Sequence, residues 1–391
     1  MRQGLALIPL LIGAGCSCNE QEYSFPDLPP PTDALDSPAV FGDHLSLDAA
    51  PDGRRITLAY HEYDFGAVGF AVGTPGRDDT ITWAHERVDG YPGSDGRDPG
   101  DRGKHTTHRV APDGSVWLAY SDMLAGGLFV SHRAAGPSSW TEPETIEPGA
   151  GAWASMALDA DGQPVIAHVG ADGASVRVSR RVDGAWTTTT AYTSSPRVIP
   201  ATDTGSEDEL RPAAVSHTAL AIVDGQELLA FHDVAEGTLV LLEGAADSWS
   251  TSVVDSGDVG AWVSLYADTD GLWMAYQDVA NQDLKIASRE GGGAFAIETV
   301  DAGDLRGADT AMAVVDGSPT IAYFDGWDGD LHVASRGGGS WTTERVAGEE
   351  SAVGFHNAMV IVESGVWIGT WDLPNRAASF IRHADAPAVG E

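Results

Sequence analysis

Seven residues of types that could do chemistry recur at one position of a repeated sequence unit, at the start of its first strand. Four are histidines, two are tryptophans and one is an aspartate. In chain order they are His44, His105, Trp153, His217, Trp262, Asp309 and His356. Neutral imidazole binds transition metals and acts as a general base, and an indole offers a flat apolar face to a ligand. The set therefore indicates a candidate ligand-binding site, provided that the fold brings its members together.

The unit that carries these residues is about 46 residues long, a period typical of propeller blades. It recurs seven times between Phe41 and Asp385. Each copy has a two-residue hairpin turn, an apolar run that ends in a small residue and usually an aromatic ring, and in most copies a later Trp-Thr strand. The turns are Asp52-Gly53, Asp113-Gly114, Asp161-Gly162, Asp224-Gly225, Asp270-Gly271, Asp316-Gly317 and Ser364-Gly365. This pattern predicts an all-β protein, a seven-bladed β-propeller with four-stranded blades.

The two ends of the repeat region predict how the ring of blades closes. The seventh copy stops after its third strand, near His383, and residues 37–41 precede the first copy. Because an exposed strand edge invites aggregation, we predict that this N-terminal segment supplies the missing outer strand. A single propeller domain then spans residues 37–385.

We name the strands of a blade a to d, from the channel outwards. The starts of strands a then share one face, the top face, with the b–c and d–a connections. Two long d–a insertions, residues 91–103 and 194–210, are expected there, where loops often carry function. Trp327 and Trp371 interrupt the repeat in b–c connections of neighbouring blades and are further ligand candidates. The tryptophans that recur in strand d are assigned to packing.

Ring closure would divide the channel mouth into two halves. Asp309, His356, His44 and His105 come from consecutive blades and form an imidazole–carboxylate half, and Trp153, His217 and Trp262 form an aromatic half. Two other interpretations stay open. A solvated mouth tolerates histidine without any task, and Ca²⁺ or Zn²⁺ could bind, although ligands about 2 Å from one ion must crowd together. No catalytic residue is assigned.

The repeat resembles the BNR and sialidase-like repeats of bacterial propellers over most of the chain. Sialidases carry Ser-x-Asp-x-Gly-x-Thr-Trp boxes between strands c and d. The corresponding turns here read Val182-Asp-Gly-Ala-Trp186 and Gly338-Gly-Ser-Trp341, so the boxes are missing. The resemblance therefore implies the fold, whereas sialidase activity is not expected.

The first residues resemble a bacterial lipoprotein signal. A short basic start is followed by an apolar run, Leu5 to Ile12, and by Gly13-Ala14-Gly15-Cys16. The resemblance implies a signal peptide over residues 1–16, a lipid on Cys16, and export to the cell envelope, at the outer membrane or the cell surface. Gly13 stands where leucine is usual, so cleavage as an ordinary secreted protein is the alternative. Residues 17–36 are acidic and proline-rich and are expected to form a tether.

Charge and cysteine content restrict the possible functions. The chain has 22 basic and 58 acidic residues, and a formal net charge of −36 disfavours binding to nucleic acid. Both cysteines, Cys16 and Cys18, lie in or beside the leader, so the repeat domain has no thiol nucleophile. The expected membrane contact is the N-terminal lipid, and a monomer is expected.

Three functions fit these observations. The first is a non-catalytic module that binds a glycan on its tryptophans. The second is an enzyme, a polysaccharide lyase or glycoside hydrolase, with His44, His105 or His356 as base. Uronate polymers are anionic like this protein, and no arginine cluster is evident at the mouth, so the enzyme is less favoured. The third is a scaffold for another envelope protein.

Overall fold

The computed structural model describes residues 41–63, 65–91, 101–122, 124, 126–136, 138–195, 214–245, 248–348 and 352–384. These residues form 27 β-strands and, within the described part, no helix. Consequently, none of the described segments is a helix long and apolar enough to cross a membrane.

The strands follow one another in blade order. Blades one to four contain β1 (Phe41–Ala49), β2 (Ile56–Glu62), β3 (Ala67–Pro75), β4 (Ile81–Asp89), β5 (Arg102–Val110), β6 (Val116–Asp122), β7 (Gly127–Arg133), β8 (Glu144–Pro148), β9 (Ala152–Leu158), β10 (Pro164–Val169), β11 (Ser175–Val182), β12 (Ala185–Thr193), β13 (Val215–Val223), β14 (Gln226–Asp233), β15 (Thr238–Ala245) and β16 (Ser248–Ser256). Blades five to seven contain β17 (Val259–Ala267), β18 (Gly271–Asp278), β19 (Asp283–Glu290), β20 (Ala296–Asp301), β21 (Ala308–Val315), β22 (Ser318–Asp325), β23 (Asp330–Gly337), β24 (Ser340–Ala347), β25 (Val353–Val362), β26 (Gly365–Asp372) and β27 (Ala377–Ala384).

Each blade is an antiparallel sheet whose strands are hydrogen-bonded in chain order. Six sheets have four strands, and the seventh has three strands among the described residues. The first strand of every blade contacts the first strand of the next, and β25 contacts β1, which closes the ring. The predicted seven-bladed β-propeller is therefore confirmed. The proposed closing segment, residues 37–41, lies outside the described residues except for Phe41, which begins β1.

The aromatic residue near the end of strand b ties the inner part of a blade to its outer edge. Tyr276 is fully buried, and its hydroxyl donates a 2.7 Å hydrogen bond to Asp255 at the end of strand d. Tyr323 donates an equivalent bond of 2.5 Å to Asp301. Because these bonds lie near the top face, they hold the strand ends from which the d–a connections leave.

Neighbouring blades are joined at their outer edges by a repeated three-residue contact. Glu144 in strand d of blade two accepts a 2.8 Å bond from Arg181 and a 3.0 Å bond from the indole nitrogen of Trp186, both in blade three. The same arrangement recurs around Glu86 and Glu298. It gives the recurring tryptophan a structural role in blades two, three and six.

Candidate functional site

All seven residues at the starts of strands a share an unusual backbone conformation. Their φ angles lie between 48° at His105 and 56° at Trp262, in the left-handed region that disfavours most side chains. At each one, the pairing of strand a with strand b shifts register, so that two residues of strand a face one of strand b. In blade five, Trp262 and Val263 face Tyr276. Each of the seven is therefore the first residue of a β-bulge, a device that re-aims a side chain.

A glycine lies two residues before the bulge in most blades. Gly103, Gly151, Gly260, Gly307 and Gly354 all have positive φ, between 82° and 122°. A Cβ atom at Gly151 would lie 2.9 Å from Leu128 Cβ in the preceding blade. The inner strand thus passes so close to its neighbour that a side chain cannot fit there.

The residue after the bulge position often binds the preceding blade. The hydroxyl of Thr218 donates to the backbone carbonyl of Trp153, and that of Thr310 donates to the carbonyl of Trp262. Asn357 donates a 2.9 Å bond to the carbonyl of Asp309. The bulge therefore helps to hold neighbouring inner strands together as well as turning a side chain towards the channel.

The seven side chains meet and line a cavity of about 170 Å³ at the channel mouth. Ring centroids of successive members are 4.2 Å (His356–His44), 4.9 Å (His44–His105), 4.6 Å (His105–Trp153), 3.8 Å (Trp153–His217) and 4.4 Å (His217–Trp262) apart. Asp309 lies 4.0 Å from His356, between carboxylate oxygen and Nδ1. The structure thus brings together all seven residues selected from the sequence.

The aromatic half of the mouth is packed against itself. His217 contacts both Trp153 and Trp262, and the two indoles lie edge to face with centroids 5.4 Å apart. Burial lowers the pKa of His217 to about 3, which makes this imidazole a weak proton acceptor at neutral pH. Trp153 and Trp262 thus each have the imidazole of His217 against them, and both are half-buried at the cavity wall.

A second, larger cavity lies on the top face beside the channel, between blades one and seven. Its volume is about 390 Å³. It is lined by Tyr63, Phe355, His356, Trp371, Leu373 and Arg376. We call it the off-axis pocket. Because His356 lines both cavities, the pocket opens directly beside the imidazole–carboxylate half of the mouth.

Two cations flank the exposed tyrosine of the off-axis pocket. Arg376 lies over the ring of Tyr63, 4.4 Å from its centroid, and Lys104 Nζ lies 5.8 Å from the same centroid. Lys104 Nζ is also 3.3 Å from Nδ1 of His61, whose Nε2 is 3.2 Å from a carboxylate oxygen of Asp101. Sequence reasoning missed Tyr63, Lys104 and Arg376. Tyr63 could have been found as an aromatic residue placed directly after strand b.

The remaining two candidates from the sequence have different surroundings. Trp371 is 5% exposed and forms a wall of the off-axis pocket. Trp327 is 68% exposed on the b–c connection of blade six, and it lines neither the channel cavity nor the off-axis pocket.

One group in the described part of the chain has the spacing of metal ligands. Candidate ligand atoms of Asp325, Asp328 and His332 lie within 4.8 Å of one another. However, the guanidinium of Arg306 contacts the same carboxylate of Asp325 and already supplies a positive charge. The group therefore fits an ion pair better than a cation site. The seven residues of the channel mouth do not form such a group within the described ranges.

No protein-family model and no curated protein matches this sequence. Solved structures do match by fold. The polysaccharide lyase Uly1 has 9% identity over 90% of this chain and 90% of the lyase, with a TM-score of 0.51. The Hadza microbial sialidase Hz136 has 12% identity over 78% of this chain and 66% of the sialidase, with a TM-score of 0.47. The fucose-specific lectin of Aleuria aurantia has 12% identity over 80% of this chain and 98% of the lectin, with a TM-score of 0.48. At these identities the similarity establishes the fold, and sialidase-like propellers are among the similar structures.

Proposed function

We propose that this protein binds a carbohydrate on the top face of its propeller, in the off-axis pocket and at the adjoining imidazole–carboxylate half of the channel mouth. The observation that carries the proposal is the off-axis pocket itself. Its volume of about 390 Å³ falls within the range of small-molecule sites, whereas the channel cavity of about 170 Å³ is smaller.

The lining of the off-axis pocket suits a sugar. Tyr63, Phe355 and Trp371 provide apolar ring surface, and His356 and Arg376 provide polar groups at its edge. A sugar ring likewise has an apolar face and a rim of hydroxyl groups, so aromatic rings beside hydrogen-bonding groups complement it. A propeller of similar fold, Uly1, is named as a polysaccharide lyase, so a carbohydrate ligand is compatible with this fold.

The main contact with the sugar is assigned to the off-axis pocket and not to the tryptophans of the channel mouth. Trp153 and Trp262, which the sequence predicts as stacking faces, each have the imidazole of His217 against them. Tyr63 is 52% exposed and is the better candidate for direct contact with a ligand.

A polysaccharide lyase is the second candidate function, favoured by the histidines and cations near the pocket. A lyase removes a proton next to a carboxylate, which requires a base and a positive charge that stabilises the resulting anion. His44 and His356 lie at the mouth with ring centroids 4.2 Å apart, and Lys104 and Arg376 flank Tyr63 nearby. In such an enzyme, His44, His105 or His356 would act as the base.

We also propose that the protein is located in the cell envelope. The leader motif supports a lipid on Cys16 and anchoring in the cell envelope, with the propeller acting as a monomer. A scaffold for another envelope protein would be favoured if no carbohydrate binds and a protein is recovered with this chain by pull-down.

Binding of the full chain to a panel of neutral and acidic polysaccharides tests the proposal. Affinity electrophoresis would compare the unchanged protein with Tyr63→Ala and with Leu124→Ala. Leu124 is 72% exposed on the equivalent b–c connection of blade two and lines neither cavity, so it is a matched control. We expect retardation by at least one polysaccharide, lost in Tyr63→Ala and kept in Leu124→Ala. Absence of retardation across the panel contradicts carbohydrate binding.

A separate assay distinguishes the lyase. Cleavage by elimination creates a conjugated double bond that absorbs ultraviolet light. Release of this absorbance by the unchanged protein, and its loss in His44→Ala with binding retained, would favour the enzyme. Binding without any such release would favour the non-catalytic module.

A further inference from the structure

An exposed apolar patch lies on the top face at blade six, outside both the channel cavity and the off-axis pocket. Trp327, on the b–c connection between β22 and β23, is 68% exposed, and Leu305, on the d–a connection that leads into β21, is 42% exposed. A Cβ atom at Gly326 would lie 2.9 Å from Leu305 Cβ, so Leu305 packs beside the residue that precedes Trp327. We call Leu305 and Trp327, with the adjoining carboxylates of Asp304 and Asp328, the Trp327 patch.

Hydrogen bonds fix both connections of the patch. The backbone amide of Trp327 donates a 2.9 Å bond to the carboxylate of the fully buried Asp325. The carbonyl of Leu305 accepts a 2.8 Å bond from the amide of Gly326, and the amide of Leu305 donates a 3.3 Å bond to the side-chain oxygen of Gln282. Leu305 has a φ of 63°, a conformation that is disfavoured for a bulky side chain. These bonds therefore hold a strained residue with its apolar side chain exposed, as is common at binding sites.

The charged groups beneath the patch leave a surplus of negative charge. The guanidinium of Arg306 contacts the carboxylate of Asp325 and lies 3.8 Å from that of Asp301. Asp328 adds a third carboxylate, whose oxygen lies within 4.8 Å of one on Asp325. Burial and the guanidinium lower the pKa of His332, so this imidazole stays neutral at pH 7. One guanidinium thus faces three carboxylates.

The other charges near the patch do not reverse this balance. Arg345 lies 3.2 Å from Asp330 at the end of the same b–c connection, so these two charges offset each other. Asp304 is exposed, and within the described ranges neither Asp304 nor Asp328 forms an ion pair with a lysine or arginine. The patch therefore presents apolar surface beside carboxylates that attract cations and repel other acidic surfaces.

We infer that the Trp327 patch is a docking site for a basic, apolar segment of a partner protein, with Trp327 as the central contact and Asp304 and Asp328 as the attracting charges. Tryptophan is enriched among the residues that dominate protein interfaces, and its ring also binds the cation of lysine or arginine. The net charge of −36 repels a second copy of this chain, nucleic acid and an anionic membrane. The inference goes beyond carbohydrate binding and does not depend on it, because neither Trp327 nor Leu305 lines the channel cavity or the off-axis pocket.

A titration followed by nuclear magnetic resonance tests the inference at the residue itself. The full chain, labelled with nitrogen-15, receives a short peptide of serine, lysine and leucine at physiological ionic strength, where non-specific attraction is largely screened. The indole N–H resonance that Trp327→Phe removes is assigned to Trp327. We expect the peptide to shift this resonance. It should bind about tenfold or more tightly than counterparts with glutamate in place of lysine or serine in place of leucine.

Matched variants separate the patch from a general attraction between a cationic peptide and an acidic protein. Trp327→Ala should weaken binding about tenfold or more, whereas Leu124→Ala, at a similarly exposed b–c position of blade two, should leave the affinity within about twofold. Asp304→Asn should weaken binding about twofold to fivefold. Asp316→Asn removes an exposed carboxylate from the a–b turn of blade six, on the opposite face, and should not change it.

Three results would overturn the inference. The first is equal binding of the peptide by Trp327→Ala and by the unchanged protein. The second is no shift of the Trp327 resonance at the highest peptide concentration. The third is a shift caused by a neutral polysaccharide and not by the peptide, which would assign Trp327 to carbohydrate instead. The proposed function is tested separately, because retardation by a polysaccharide should persist in Trp327→Ala, and its loss would contradict the independence of the two surfaces.

Discussion

Replacing Gly260 with alanine would disturb the contact that fixes the backbone two residues before Trp262. Gly260 has a φ of 108°, and a Cβ atom there would lie 3.0 Å from Leu239 Cα and 3.1 Å from Leu239 Cβ in the preceding blade. Gly257 is a matched control, because its φ of 112° is nearly the same and a Cβ atom there would meet no described atom within 4 Å.

Both substitutions force alanine into a strained backbone conformation, which costs about 1–3 kcal/mol of folding free energy. Only Gly260→Ala also overpacks the contact between blades four and five, which costs about 1–3 kcal/mol more. We therefore expect Gly257→Ala to lose about 1–3 kcal/mol and Gly260→Ala about 2–6 kcal/mol.

Equilibrium unfolding in urea, followed by tryptophan fluorescence, would give both free energies under one set of conditions. The difference between the two variants isolates the contact between blades, since the backbone strain is shared. Equal free energies of unfolding would refute the view that the close approach of blades four and five leaves no room for a side chain at Gly260.

Two further predictions concern buried groups. The imidazole of His108 is fully buried and bonded to Thr57 and Ser46, and burial lowers its pKa to about 3. In the unfolded chain the imidazole binds a proton below about pH 6.5, whereas the buried imidazole stays neutral until about pH 3. The free energy of unfolding should therefore fall as the pH drops from about 6.5 towards 3, by up to about 1.4 kcal/mol per pH unit for this residue. Urea midpoints measured across that range should show a shallower dependence in His108→Gln, and an unchanged dependence would contradict the assignment. Glu227→Gln should cost about 3–5 kcal/mol, because it leaves Arg180 without its bidentate carboxylate in a mostly buried contact. In the same urea assay, Glu363→Gln at an exposed pair should cost under about 1 kcal/mol, and similar losses in both variants would contradict the importance of burial.

The fold could be predicted from the sequence because each blade repeats the same local signals. Hairpin turns such as Asp270-Gly271 and an apolar run before a ring such as Tyr276 recur with a fixed period, and these signals depend on neighbouring residues only. The β-bulge was not predicted, although a signal for it exists. A glycine stands two residues before the bulge position in six of seven copies, and only the fourth copy has another residue, Val215.

The off-axis pocket could not be predicted in the same way. Its lining joins Tyr63 of blade one to Arg376 of blade seven, at opposite ends of the repeat region. Repeat periodicity reports which residues are equivalent, but it does not report which loop side chains of different blades meet. Interruption of the repeat identified both Trp371 and Trp327, yet only Trp371 lines the pocket.

The ring of seven residues also shows why residue type alone is weak support for a site. Histidine and aspartate are among the non-glycine residues that most often adopt the left-handed conformation. The bulge therefore favours these types at five of the seven positions for reasons of backbone geometry. Trp153 and Trp262 are not explained in this way, but their contacts with His217 give them a packing role. The residue types of the ring therefore give little support for a ligand site in its aromatic half, and the proposed binding site depends on the off-axis pocket.

The substitution His217→Asn distinguishes the backbone requirement of the bulge from the role of the imidazole ring. Asparagine tolerates the φ of 52° at this position, so the bulge should persist, while loss of the ring between the two indoles should lower stability by about 1–3 kcal/mol. Because His217 does not line the off-axis pocket, affinity for a polysaccharide that binds the unchanged protein should stay within about twofold. Urea unfolding and titration calorimetry on the same preparation would give both quantities. A stable variant that has lost its affinity would place the binding site in the aromatic half of the channel mouth instead.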